Sequence, residues 1–68
     1  MEGWQERVVS ERDELRSRLI RLSRFLESDE AMGIEAYPRI LLIRQRSVML
    51  AYLGILDERI ALFAGEKS

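Results

Sequence analysis

Residues 40–63 read ILLIRQRSVMLAYLGILDERIALF, and this stretch decides the fold. It holds no Pro and one Gly, so nothing in it stops a helix. Projected at 100° per residue, Leu41, Leu42, Val48, Met49, Tyr52, Leu53, Ile55, Leu56, Ile60, Leu62 and Phe63 cover an arc of about 180°. Ile40, Ile43 and Leu50 extend apolar surface beyond that arc. A helix this apolar needs more cover than one narrow neighbour supplies.

The neighbour is the segment from about Trp4 to Glu27. Its apolar residues Trp4, Val8, Leu15, Leu19, Leu22 and Leu26 fall within a stripe only about 60° wide. Its remaining surface is charged, with Glu14 four residues before Arg18 and Asp13 three before Arg16, spacings that form modest ion pairs on a helix. Between the two segments, ESDEAMGIEAYP at 27–38 breaks the helical period and carries the chain's one Pro. The reading is one helical-hairpin domain over 1–68, with a helix at about 4–27, a connector at about 28–37 and a helix at about 38–64. Pro38 fits the first position of the second helix, which would leave Tyr37 extended. Ser28 and Asp29 either end the first helix or cap a short extra turn around 29–35.

Each helix would be roughly 35–40 Å long, so the two match as an antiparallel pair. An isolated hairpin of this size rarely gains more than about 3–5 kcal/mol from its core, and self-association follows as an expectation. The fold class is all-α: a two-helix hairpin assembling into an oligomeric bundle. The assembly is a dimeric four-helix bundle or a tetramer, with Leu42, Met49, Leu53, Leu56, Ile60 and Phe63 at the oligomer interface. Gly54 is either a tolerated surface residue or permits close approach of two backbones.

Composition narrows the function. With no His and no Cys, the chain lacks an imidazole base, a thiolate nucleophile and the usual zinc and iron–sulfur ligands. No Glu-x-x-His pair, Gly-rich phosphate loop or nucleophile elbow is present. A non-enzymatic protein is expected, with no catalytic residues, metal or cofactor. No run reaches the 18 or so apolar residues of a membrane span, so a cytoplasmic chain without a membrane partner is expected. The net charge is −1 and the arginines are interleaved with acids, so nucleic acid is not an expected partner.

Ten Arg stand against the single Lys67. That bias reflects either a GC-rich genome or a need for planar, bidentate donors to phosphate or carboxylate. On the second helix Gln45 and Arg59 fall within the apolar arc, Arg44 lies on its edge and Arg46 just past the other edge. They either fix register across an oligomer axis or line a polar pocket between protomers, with Tyr52 for stacking. Arg12 and Arg16 lie four apart beside the first helix's stripe, where Glu6, Asp13 or Glu27 could neutralise them. Trp4 reads as a hydrophobic cap on the end of the bundle.

The order of residues also resembles a known group. W-Q-x-R-V at Trp4–Val8, E-L at Glu14–Leu15 and F-L at Phe25–Leu26 precede L-L-x-x-Q at Leu41–Gln45, M-x-x-Y at Met49–Tyr52 and I-L-x-x-R-I at Ile55–Ile60. Nearly the whole chain thereby resembles a family of small helical-hairpin proteins encoded by tailed phages and prophages, one of them first catalogued from a crAss-like phage. The connector departs from the family's Pro- and acid-rich loop, so nothing carries over to residues 29–38. The resemblance implies an accessory protein in the cytoplasm of a bacterial host that modifies host processes or blunts host defence. By analogy with other small helical phage proteins, the expected partners are further copies of itself and a nucleotide-type signal that it sequesters, with Arg44, Gln45, Arg46, Tyr52, Arg59, Arg12 and Arg16 as ligand-binding candidates. The alternative is a module that docks on a host protein through Ile40, Ile43 and Leu50 and inhibits or redirects it.

Overall fold

The computed structural model describes residues 3–65. Three helices follow in order: α1 (Gly3–Leu26), α2 (Asp29–Met32) and α3 (Ala36–Gly65). The long helices lie side by side and antiparallel, giving a body of 48 × 18 × 14 Å with a radius of gyration of 15.3 Å. A compact chain of this length would have a radius near 11 Å. The elongation explains why so little is buried.

The core is a single row along the hairpin. Val8, Leu15 and Leu19 of α1 are buried, as the narrow stripe requires. They meet Leu56, which is 0% exposed, and Met49, Leu53, Ile60 and Phe63 pack around that contact. The hairpin itself thus already draws Met49, Leu53, Leu56, Ile60 and Phe63, five of the six residues expected at an oligomer interface, into its core, and Leu42 is half-buried. The reason is geometric: the face of α3 opposite α1's stripe is covered within the hairpin, and the apolar residues left over lie on its flanks. Val48 is 68% exposed and Leu62 79%, with Tyr37, Leu41 and Ile55 also exposed on one flank and Ile40, Ile43 and Leu50 on the other.

The connector contains the short helix that the sequence left open. Ser28 occupies the N-cap position of α2 in an extended conformation, yet its side chain does not cap α2. Its hydroxyl instead donates to the Phe25 carbonyl at 2.6 Å, an acceptor in α1's last turn that also takes Ser28's own backbone N–H at 3.0 Å. Ala31, 1% exposed, fills the space under the turn. The second long helix begins at Ala36, two residues before the expected start, with Arg39 donating its backbone N–H to the Glu35 carbonyl. Pro38 is tolerated there because the first four N–H groups of a helix have no intrahelical acceptor, so the missing donor is not felt. Tyr37 is accordingly helical.

Candidate functional site

The first turn of α1 and the last turns of α3 meet at the end of the hairpin away from the turn. Trp4, in the first turn of α1, and Phe63, in the last turns of α3, touch edge to face. Beside that pair, Gln5, Arg59 and Leu62 complete an open cleft of about 300 Å3. Trp4 is 49% exposed, so it is both the bundle cap that its position suggested and a wall of the cleft. Neither an ion pair nor a hydrogen bond holds the Arg59 side chain among the described residues. A free guanidinium beside two aromatic rings can pair with an anion while a planar group lies against the rings.

A second, larger groove of about 510 Å3 runs along α1, lined by Gly3, Glu6, Arg7, Ser10, Glu11 and Glu14. Three carboxylates against one guanidinium make it a poor place for an anion. The cleft at Arg59 is therefore the better candidate.

The other expected ligand residues do not converge on that cleft. Gln45, Tyr52 and Arg59 fall on one row of α3 but stand seven residues apart, about 10 Å at each step. Gln45 turns its amide toward the Met49 sulfur at 3.8 Å along its own helix. Arg44 and Arg46 are exposed on different sides of α3, and Arg16 is exposed on α1. Arg12 is engaged at the opposite edge of the hairpin. Its Nη1 donates to Asp57 at 2.9 Å and its Nε to Asp13 at 2.7 Å, so it braces α1 against α3. Hydrogen bonding to Asp57 first, then to Asp13, holds the Arg12 guanidinium above its ordinary pKa. Asp13 was among the acids foreseen for Arg12, whereas Asp57, 45 residues away, needed the pairing of the helices.

Gln5, Leu62 and Phe63 were missed as cleft residues. The signal lay in register: an antiparallel hairpin that sets Arg12 beside Asp57 also sets Trp4 beside Phe63. Among the described residues no group of three or more acids could hold a metal ion. No helix among them is long and apolar enough to cross a membrane.

Comparison with known proteins agrees with the phage resemblance. The chain is 38% identical over 63 residues to an uncharacterized 7.5 kDa protein of the denB–rIIB intergenic region of Enterobacteria phage T4, covering 93% of this chain and 98% of that protein. No solved structure matches. A family model described as Sequestin matches residues 2–62, a span that takes in the helical pair, the turn and every residue of the Arg59 cleft but Phe63. By that match this chain belongs to the Sequestin family of small phage proteins.

Proposed function

We propose that this chain is a non-enzymatic phage capture protein: an oligomer that binds a nucleotide-type signal of the host stoichiometrically and withholds it from host defence. One observation carries the reading. Arg59, without a carboxylate partner among the described residues, stands in a cleft walled by Trp4 and Phe63. Phosphate plus base is the ligand chemistry that a fork-shaped cation beside aromatic surface recognises. The family's name denotes sequestration, and capture needs no acid, base or nucleophile, in keeping with a chain that has neither His nor Cys.

The test is native mass spectrometry of the full chain purified gently from bacterial cells, beside its denatured mass. An oligomer carrying extra mass in the range of a nucleotide supports capture. Arg59→Ala should then lose that mass and keep the oligomer. An oligomer that carries nothing and binds no nucleotide from a host extract would overturn the reading.

One observation favours the alternative of docking on a host protein. Ile40, Ile43 and Leu50 are exposed on one flank of α3, and contiguous exposed apolar surface is commonly an interaction site. Ile43→Glu with Leu50→Glu should spare self-association and destroy host-protein capture if that reading holds.

A further inference from the structure

The flank of α3 on the other side carries a seven-residue repeat that the hairpin itself does not use. Leu41, Val48, Ile55 and Leu62 recur at seven-residue intervals, and all four are exposed. Tyr37, Arg44, Ala51 and Glu58, three or four residues before or after them, share the same side of the helix. Together they make the two alternating positions of a coiled-coil seam without a partner helix. The order of charges along it is informative, because Arg44 lies toward the start and Glu58 toward the end. Neither has an ion-pair partner among the described residues.

We propose that a second copy of this chain seats on that seam, antiparallel, so that each protomer's Tyr37 closes over the Arg59 cleft of the other. Charge selects the orientation. In a parallel pair Arg44 would face Arg44 and Glu58 would face Glu58, whereas turning one helix end for end, with the two seam positions alternating across it, sets Arg44 one layer, three residues, from the partner's Glu58, twice, by symmetry. The same register sets Val48 against the partner's Ala51 and Leu62 against the partner's Tyr37. Ile55 meets the aliphatic stem of the partner's Arg44, and Leu41 meets that of Glu58. Area agrees as well. A folded monomer of this mass exposes about 4,450 Å2, against 5304 Å2 here. The excess is near the roughly 800 Å2 that each partner buries in a specific interface.

Leu62 connects the seam to the site, because it belongs to the repeat and also lines the cleft with Trp4 and Arg59. The residue opposite it in the pair is therefore a wall of that cleft. Each cleft would be built from Arg59, Trp4 and Phe63 of one chain and Tyr37 of the other, two per dimer. The pairing stands on the seam alone; only its bearing on the ligand rests on the capture reading.

Sedimentation equilibrium of the full chain without ligand tests the pairing. The wild type should dimerise, or form an assembly built of such dimers. Arg44→Glu and Glu58→Arg should each weaken the pair at least about tenfold by setting like charges together twice. The double exchange should restore it, with helix content by circular dichroism unchanged throughout. A chain that stays monomeric at every concentration would overturn the proposal and leave the seam to another protein, and a double exchange as dissociated as the single ones would overturn the register. Cross-linking tests the cleft. The chain has no Cys, so Tyr37→Cys and Leu62→Cys can be joined by a short bismaleimide. Neither variant alone should give a covalent dimer, and their mixture should. Self-linking of either one would mean a parallel pair and overturn the proposal. A wild-type dimer that retains no nucleotide would sink the capture reading while upholding the pairing.

Discussion

The ring of Trp4 meets the ring of Phe63 edge-on, with 5.5 Å between centroids and 81° between planes. This contact fastens the first turn of α1 to the end of α3, where no connecting loop holds the helices together. Edge-to-face pairs contribute roughly 0.5–1.5 kcal/mol beyond the area they cover. Phe63→Leu keeps the apolar bulk and removes the ring, so it should lower stability by about that amount in urea unfolding and shift the fluorescence of Trp4, the chain's one tryptophan.

Leu56 is the side chain on which the core closes. It is fully buried between Val8, Leu15 and the flanking α3 residues, and truncating a buried Leu to Ala costs about 2–5 kcal/mol. A hairpin of this size has about that much to lose. Leu56→Ala should therefore leave the chain largely unfolded by circular dichroism at 25 °C, while Leu56→Met, which conserves volume, should leave it folded.

Gly54 presents the opposite case. A Cβ built there meets nothing within 4 Å, and among the described residues no glycine has a positive φ. Within one chain the residue only weakens its helix, by about 1 kcal/mol relative to Ala. Gly54→Ala should raise the thermal midpoint, as followed by circular dichroism. A fall would mean that another backbone lies against this position in the assembled protein.

Arg12 and Asp57 join α1 to α3 at the edge opposite the cleft. Exposed pairs of this kind contribute little and are screened by salt, so Arg12→Ala and Asp57→Ala should each lower the thermal midpoint slightly, by less at high salt, and the two together by less than their sum. The pH dependence has a definite sign. The Arg12 pKa is raised by folding, so its contribution is complete below the ordinary arginine pKa and is lost only as pH climbs through the still higher folded value. A pH titration of stability should show no change from Arg12 anywhere in the neutral range.

The helical hairpin was legible because it rests on period. The stripe from Trp4 to Leu26 and the broad arc after Ile40 fixed two helices, their pairing and the turn. The start of α3 was not, because Pro38 obeys two rules that conflict: it suits a first turn, and it disfavours helix in the residue before it. Tertiary packing of the turn, with Ala31 buried beneath it, placed the start at Ala36. Which part of the apolar arc the hairpin itself covers was not legible for a related reason. An arc shows how much surface must be covered, but only the packed structure shows that α1 covers the side bearing Leu56 and leaves Val48 and Leu62 outside. In the candidate site, Arg59 could be singled out as a cation in an apolar arc, whereas its neighbours Trp4 and Phe63 lie far from it or from each other in sequence and needed the register of the two helices.

Because the cleft is walled by the first turn of α1 and the last turns of α3, it lies where helices fray most readily. A ligand gripped between Trp4 and Arg59 would act as a removable staple across that end. Amide protons there, exchanging fastest in the empty protein, would become among the slowest once it is filled, and the hairpin would melt later in proportion to the logarithm of free ligand. On the capture reading this would be useful: the loaded form would be the one that resists unfolding and proteolysis, so what was captured would stay captured.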